Sequence, residues 1–203
     1  GDISSEHNMG EWYVVQEPTW TDVGINRREC ALCGFYETSE IPILTQATES
    51  GYIYSVTDNK AKIIGVTEEI SGNIKIPSAL GGYVLTEIGP GAFRSNHSIT
   101  KVEMPDTIEI IDSDAFNYCY YAHFVNVPKN LKIIGNNAFK DCACIGLDFI
   151  LPEGFESIGN GAFSYSGLRS ITIPSSVIYI GKSALSEEKS IQVDVGEADS
   201  YTE

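Results

Sequence analysis

Cys30 and Cys33 are the residues whose types and spacing come nearest to a reactive site. A Cys-x-x-Cys pair can act in thiol–disulfide exchange or supply half of a tetrahedral zinc site. Exchange chemistry needs a βαβ setting that the sequence does not indicate, and zinc needs four ligands. The sequence has neither a second Cys-x-x-Cys nor a histidine pair. We therefore expect a local disulfide or a reduced pair that stabilises a turn, and no metal.

The remaining cysteines fall in the second half of the chain. Cys119 and Cys142 lie 23 residues apart at equivalent places in a repeating pattern. We interpret them as stacked, buried thiols, because buried cysteine behaves as a small apolar side chain; a disulfide between them is the alternative. Cys144 is left over and is the candidate for a reactive thiol, with an inert role as the simpler interpretation.

No other set of residues predicts catalysis. The three histidines, His7, His97 and His123, are scattered and have no partner at the spacing of a metal site or a catalytic triad. Gly-x-Ser-x-Gly, a phosphate-binding loop, His-Glu-x-x-His and a calcium loop are all missing from the sequence. We predict that the chain is not an enzyme and that it needs no cofactor.

The charge balance excludes several classes of partner. The chain has 203 residues, of which 28 are acidic and 13 are Lys or Arg, and its net charge is −15. Such a surface repels nucleic acid and anionic lipid, because both are bound through clusters of basic side chains. No stretch approaches the ~20 apolar residues of a membrane span. A hydrophobic content of 42% is enough for a packed core.

Two registers of residues recur along the second half of the chain. Prolines are spaced by 28, 23, 24 and 22 residues, and bulky apolar residues that follow them are spaced by 23, 23, 24 and 22. Two registers that stay together over several units indicate stacked structural repeats. The residues concerned are Pro77, Pro105, Pro128, Pro152 and Pro174, and the predicted repeat core Phe93, Phe116, Phe139, Phe163 and Leu185.

Each unit has a simple physical interpretation. The alternation around Ile171 and Ile173 predicts a short strand with one buried face, and the proline that follows ends the strand. An Ile-Gly step such as Ile134-Gly135 predicts a change of direction, with glycine at positive φ. The Ala-Phe pair fills the interior of the coil. No unit closes its own core, so neighbouring units must stack.

These residues resemble the BspA-type leucine-rich repeat, whose unit reads roughly Leu-x-x-Ile-x-Ile-Pro, then Ile-Gly-x-x-Ala-Phe-x-x-Cys. Cys119 and Cys142 match its cysteine, whereas Asp112, Ser166 and Leu185 depart from its glycine, cysteine and phenylalanine. The resemblance implies a repeat solenoid: a right-handed, leucine-rich-repeat-like coil, rich in β-strands, with short helical or 3-10 turns and an N-terminal β-hairpin cap.

A second resemblance concerns the region around Cys30. Gly10-Glu11-Trp12, Pro18-Thr19-Trp20-Thr21 and Arg28-Glu29-Cys30-Ala31-Leu32-Cys33-Gly34 are similar to a small module common in bacterial surface proteins, in which Trp20 is often Cys. The predicted organisation is a disordered leader (1–9), a small β-rich module (10–44), a linker (45–50), a hairpin cap (51–73), five repeats (74–195) and a tail (196–203).

Strand side chains that point away from the core form a continuous face in a solenoid, and this face is the predicted partner site. Phe124, Leu147 and Ile150 would form an apolar patch there, a common mark of partner sites. The alternative is that loops or neighbouring coils cover some of them. The predicted contact residues are Lys101, Glu103, Phe124, Asn126, Leu147, Ile150 and Thr172.

The resemblance implies a function in adhesion. We expect a non-enzymatic, monomeric bacterial protein, secreted or held at the cell surface, that binds an extracellular protein or glycan through the strand face. One alternative is a structural spacer. The other is an accessory module of a larger exported protein that binds carbohydrate or cell wall.

Overall fold

The computed structural model describes residues 7–16, 19, 22–42, 45–142 and 148–185, and the backbone of 192–195. The chain divides into two compact units, residues 1–47 and 48–203. The described residues form strands and turns without a helix, so none of them forms a helix able to span a membrane.

The first unit is a three-stranded antiparallel sheet in the order β1-β2-β3. Its strands are β1 (Tyr13–Gln16), β2 (Gly24–Glu29) and β3 (Tyr36–Ile41). Among the described residues of this unit, only Gly24 and Cys30 are buried. The described part of this unit therefore has almost no apolar core of its own.

The predicted leader and linker both contribute to the structure. Met9 pairs with Cys30 in an isolated antiparallel bridge, and His7 stacks on Phe35 with ring centroids 4.3 Å apart. Residues 7–9 are thus attached to the first unit instead of being disordered. The segment expected to be a linker contains β4 (Ala47–Glu49), which pairs at the edge of the larger sheet. Residues 1–6 and the tail 196–203 lie outside the described residues.

The second unit begins with the predicted hairpin. Strands β5 (Tyr52–Thr57) and β6 (Lys60–Val66) are joined by Asp58 and Asn59 at φ 51° and 59°, the conformation of a tight two-residue hairpin turn. Strand β6 then pairs in parallel with the first coil of the solenoid. Tyr52 is buried, and its ring lies edge-on to Phe93 at 6.4 Å. The hairpin therefore covers the end of the aromatic core.

The strands of the coils lie on two faces. The strands that precede the prolines, with β18 after them, form what we call the Ile-Pro face, which consists of two three-stranded sheets in the orders β12-β10-β7 and β14-β16-β18. Its strands are β7 (Gly72–Lys75), β10 (Ile99–Glu103), β12 (His123–Phe124), β14 (Asp148–Ile150), β16 (Ser170–Ile173) and β18 (Gln192–Val195). Those that precede the Ile-Gly steps form the Ile-Gly face: β9 (Tyr83–Ile88), β11 (Ile110–Ile111), β13 (Ile133–Ile134), β15 (Ser157–Ile158) and β17 (Tyr179–Ile180). The extra residues of the first coil form β8 (Ala79–Leu80), which pairs antiparallel with β9.

The corners that carry the Ala-Phe pairs consist of hydrogen-bonded turns in place of the short helices expected. In the second coil, the N–H groups of Asp114, Phe116 and Tyr118 donate to carbonyl oxygens of the next coil at 2.8, 2.8 and 3.0 Å. Asp114 and Tyr118 adopt φ of 59° and 63°. This alternation points every second N–H along the solenoid axis, so each corner is bonded to the next.

The predicted core residues stack as a column of rings. Centroids are 4.8 Å apart for Phe93 and Phe116, 5.7 Å for Phe116 and Phe139, and 5.3 Å for Phe139 and Phe163. Interplanar angles of 15°, 6° and 12° make them near-parallel stacks. Leu185 takes the equivalent place in the last coil and is only half-buried.

The two cysteines of the repeat pattern lie behind this column. The Sγ atoms of Cys119 and Cys142 donate to the carbonyl oxygens of Phe93 and Phe116, each at 3.0 Å. The two sulfurs are not joined to each other, in agreement with the stacked thiols expected. Burial raises the pKa of Cys119 to about 12, so this thiol keeps its proton at physiological pH.

The glycines of the Ile-Gly steps do not have the positive φ expected of them. A Cβ on Gly135 would lie 2.6 Å from the carbonyl carbon of Asp112, and one on Gly159 would lie 2.5 Å from that of Gly135. Glycine is therefore required because the backbones of consecutive coils nearly touch there. The prediction that these positions turn the chain was correct, but the reason for glycine was wrong.

Replacing Phe139 should destabilise the solenoid strongly. Its ring contacts four others, stacking on Phe116 and Phe163 and meeting Phe124 and Phe149 edge-on. We expect Phe139→Ala to cost ~3–5 kcal/mol in the free energy of unfolding, measured by denaturant titration. Tyr121→Ala, at a 59% exposed position, is the control and should change little. Equal effects of the two substitutions would contradict the core assignment.

A single methyl group at Gly135 should also destabilise the fold. Gly135→Ala forces the coils apart, at a cost of about 1–3 kcal/mol typical of overpacking. Gly65→Ala is the matched control, because its Cβ would meet only the Ile53 side chain at an ordinary 3.6 Å. Melting temperatures by circular dichroism should fall for the first variant and not for the second. A Gly135 variant as stable as the wild type would refute close coil contact.

Candidate functional site

The outward side chains of the Ile-Pro face form two rows. The parallel register sets Lys101 beside Asn73 and His123, and Glu103 beside Lys75. Val102 pairs with Phe124, so the next residues of the two chains, Glu103 and Val125, lie side by side in the other row. Asp148 and Ser170 pair in the last coils, as do Ile150 and Thr172. The face is therefore mixed in character, with charged, polar and aliphatic side chains in neighbouring coils.

The assignment of Phe124 to this face was wrong. Phe124 is 3% exposed, and its ring lies edge-on to both Phe116 and Phe139 at 4.9 Å. It adds a second aromatic column behind the strand, continued by Phe149 between Phe139 and Phe163. Burial of this ring decides which face the strand presents, because a shift of one residue exchanges the two faces of a strand.

Phe124 lies four residues before its proline, whereas Val102, with which it pairs, lies three residues before its own, so this coil has one extra residue between strand and proline. Asn126 lies in this longer segment and bonds it to the preceding coil. Its side-chain oxygen accepts from the Met104 N–H at 2.9 Å, and its side-chain nitrogen donates to the Met104 oxygen at 2.7 Å. The amide thus replaces a peptide group at the point where the backbone ladder ends. Asn126 has a structural role, and the outward position expected of Phe124 belongs to Val125, which is 40% exposed.

The other predicted contact residues fall into different settings. Lys101 is exposed and Thr172 is half-buried on the Ile-Pro face. The Glu103 carboxylate pairs with Lys75 Nζ at 2.7 Å. Among the side chains of this face that the structure describes, Ile150 is the most exposed aliphatic one, at 62%. Leu147 lies outside the described residues.

Aromatic side chains precede β12 directly, at the border of the same face. Tyr120 and Tyr121 are 41% and 59% exposed. Tyr120 stacks on His97 with centroids 5.1 Å apart and lies 5.9 Å from Tyr118. We define the exposed patch as Tyr120, Tyr121, Val125 and Ile150.

The Ile-Gly face is dominated by ion pairs. The Glu109 carboxylate accepts from Lys132 Nζ at 2.9 Å and from Lys60 Nζ at 3.1 Å, and these bonds lower its pKa, with Lys132 as the larger cause. The face departs from this character at its last strand, where Tyr179 is 51% exposed and Ile178, the residue before the strand, is 84% exposed.

A separate cluster lies in the first unit. His7, Cys30 and Cys33 place one nitrogen and two sulfurs within 4.8 Å of one another, and Cys33 Sγ lies 3.2 Å from His7 Nδ1. In the part of the chain that the structure describes, no other three His, Cys, Asp or Glu side chains form a group of this kind. Both thiols are free, which corresponds to the reduced pair and not to the local disulfide among the two alternatives expected.

The backbone around Cys30 forms a tight knuckle. The Cys30 N–H donates to the Phe35 oxygen at 2.7 Å, and the Gly34 N–H donates to the Cys30 oxygen at 3.1 Å, with Gly34 at φ 72°. Hydrogen bonds from the backbone N–H groups of Leu32 and Cys33, the Leu32 one first, lower the pKa of Cys30 to about 6, with smaller contributions from the side chains of Cys33 and His7.

Sequence reasoning missed this cluster because it treated His7 as isolated. The histidine reaches the cysteines through the bridge between Met9 and Cys30, which joins residues far apart in sequence. No periodic pattern indicates such a single bridge. The Cys-x-x-Cys-Gly run was the only local signal.

A sequence profile of the BspA type leucine-rich repeat region matches residues 84–198 in six copies, one more than the five repeats counted from the sequence. The crystal structure of the leucine-rich repeat protein TpLRR of T. pallidum shares 26% identity at a TM-score of 0.60, over 68% of this chain and 65% of that one. The crystal structure of a leucine-rich repeat protein of Bacteroides ovatus shares 26% identity with this chain at a TM-score of 0.64. The match covers 74% of this chain and 41% of that one.

A leucine-rich cell surface protein of Faecalibacterium prausnitzii shares 26% identity at a TM-score of 0.50, over 76% of this chain and 56% of that one. The chain therefore spans less than two thirds of the length of each of these three proteins. No curated protein matches the sequence.

The cysteines of the two units should differ in their reactivity towards alkylating reagents. In the reduced protein with a chelator present, we expect a thiol-alkylating reagent to modify the exposed Cys33 and to leave Cys119 unmodified from pH about 7 to about 9, because only the thiolate reacts. Peptide mass spectrometry reads out both sites in one sample. Denaturant should make both sites react. Alkylation of native Cys119 at the rate of Cys33 would contradict its burial.

Proposed function

Because the chain belongs to the BspA-type leucine-rich repeat family, we propose that this bacterial repeat protein acts outside the cell as a non-catalytic binding protein that attaches to a protein or glycan through the Ile-Pro face. The observation that carries the proposal is the exposed patch of Tyr120, Tyr121, Val125 and Ile150 on a face that is otherwise polar.

The patch has the composition of a binding site. Tyrosine is enriched at interface positions that contribute most to affinity, because its ring is large and its hydroxyl can form a hydrogen bond. Here the rings are partly fixed, since Tyr120 is held against His97 and lies beside Tyr118. A ring that is already ordered loses less entropy when a partner binds.

The surroundings of the patch supply polar contacts. Lys101 and His123 occupy the neighbouring row, and Asp148 accepts from Ser170 Oγ at 2.5 Å. An apolar centre with a polar border is the usual organisation of a protein interface. The strands that carry the patch are each paired with a neighbouring coil, β12 with β10 and β14 with β16, so their backbones are ordered before a partner binds.

The location proposed rests on the relatives. One of the similar structures is described as a leucine-rich cell surface protein, and it shares 26% identity with this chain. A net charge of −15 argues against a nucleic acid as the partner, because it would repel phosphate groups. An extracellular protein or glycan remains the class of ligand that the surface fits.

The proposal is tested by removing the patch. The double variant Tyr121→Ser/Ile150→Ser should lose at least about tenfold in affinity for a ligand that the wild type binds on an array of extracellular-matrix proteins and glycans, because truncating two exposed contacts of this kind removes more than ~1.4 kcal/mol. Surface plasmon resonance with the ligand found on the array measures the dissociation constant.

The chain offers a matched control on its other face. Ile178→Ser/Tyr179→Ser changes the same two residue types at comparable exposures of 84% and 51%, and should leave affinity unchanged. Equal affinity of the wild type and the patch variant would refute binding through the Ile-Pro face. A wild type that binds nothing on the array would favour a spacer or an accessory module instead.

A further inference from the structure

The first unit has far fewer buried apolar side chains among its described residues than the solenoid has. Its three strands expose most of their side chains, and Cys30 is the one apolar residue buried among its described residues. Domains of about 40 residues rarely bury enough apolar surface to fold alone, and a disulfide or a bound metal usually compensates. The two cysteines of this unit are not joined by a disulfide.

Surface contacts replace only part of the missing core. The Arg27 guanidinium lies 3.9 Å from the Tyr36 ring centroid, Arg28 lies 4.9 Å from that of Trp12, and Arg28 also pairs with Glu37 at 2.6 Å. Each contact is partly exposed, and exposed pairs contribute little to stability.

The unit does bring three metal-binding atoms together. A zinc ion about 2.3 Å from sulfur and about 2.0 Å from nitrogen sets its ligand atoms roughly 3.5–3.8 Å apart. One ring nitrogen of His7 and the Sγ atoms of Cys30 and Cys33 all lie within 4.8 Å of one another, and Cys33 Sγ lies 3.2 Å from His7 Nδ1, so the three ligand atoms are close to that arrangement. Small side-chain rotations would complete it.

The backbone holds the two cysteines in a tight turn. The Gly34 N–H donates to the Cys30 oxygen at 3.1 Å, and Gly34 adopts the positive φ that closes the turn. Phe35 holds the His7 ring by stacking at an interplanar angle of 5°, so the histidine is oriented by a neighbour that is not itself a ligand.

The geometry points to a zinc site formed by His7, Cys30 and Cys33, which fastens the N-terminal segment to the sheet and stabilises the first unit. Sulfur and imidazole ligands favour zinc over calcium or magnesium, which prefer oxygen. The three described ligands leave one position of a tetrahedral site for water or an external donor.

Both cysteines bind the ion as thiolates, and a thiol that still carries its proton releases it to solvent as its sulfur binds. Neutral His7 donates a lone pair from Nδ1. Because the ligands converge only in the folded unit, the binding energy adds to its stability. This inference is independent of the proposed function, which concerns the solenoid.

The test uses the full chain, reduced and stripped with a chelator, then titrated with Co²⁺ and with Zn²⁺. We expect one equivalent of Co²⁺ to give the thiolate charge-transfer absorption of a sulfur-ligated ion, and Zn²⁺ to displace it while a large excess of Mg²⁺ or Ca²⁺ does not. Tryptophan emission gives a second measurement, because both tryptophans of the chain, Trp12 and Trp20, belong to the first unit. Zn²⁺ should change that emission.

Variants assign the ligands. Cys33→Ser and His7→Gln should each weaken Zn²⁺ binding by more than about 100-fold, since even the loss of a supporting contact costs 10–100-fold. His123→Gln, an exposed histidine of the solenoid, is the matched control and should bind like the wild type. The far-ultraviolet melting curve of the solenoid should be the same in all variants, which separates loss of a ligand from general misfolding.

Three results would overturn the inference. One is the absence of stoichiometric Co²⁺ or Zn²⁺ binding by the reduced wild type. Another is wild-type affinity in His7→Gln. The third is tryptophan emission that does not respond to Zn²⁺ although the ion binds.

Discussion

The solenoid depends on how closely one coil approaches the next. At the corners, the Phe116 and Phe139 N–H groups donate to the following coil at 2.8 Å, while their ring centroids are 5.7 Å apart. A hydrogen-bonded ladder and a ring stack have nearly the same spacing, so one repeat distance satisfies both. Glycine at 135 follows from the same distance, because a side chain there would hold the backbones apart. The flat strand face, and any binding on it, rests on this regular stacking.

Repetition made most of the fold predictable from sequence. The Phe column, the hairpin at 52–66 and the place of Cys119 all follow from patterns that occur several times or within a few residues. The misplaced residue of the strand face was specific to one coil. Phe124 was aligned through its proline, whereas its buried ring moves the strand by one residue and Asn126 absorbs the difference. Counting residues from the proline does not show that burying the Phe124 ring is more favourable than keeping the regular spacing.

The site in the first unit was unpredictable for a different reason. Nothing in the sequence around His7 indicates that it returns to Cys30, because the contact depends on a single bridge through Met9. The patch on the Ile-Pro face was partly predictable: Ile150 was placed correctly, and the adjoining tyrosines were visible in the sequence. The two units thus differ in how they are held together, one by many equivalent contacts and the other by a few particular ones.

The corner turns also give the solenoid a net dipole along its axis. Every axial bond at the corners runs the same way, from an N–H of one coil to a carbonyl oxygen of the next, as for Phe93 to Ala115 and Phe163 to Ala184. The peptide dipoles along this column therefore add, as they do in a helix, but in the opposite sense along the chain. The column is positive towards the C-terminal coils and negative towards the hairpin. Adding a coil lengthens the column and moves its two oppositely charged ends further apart without changing their sign.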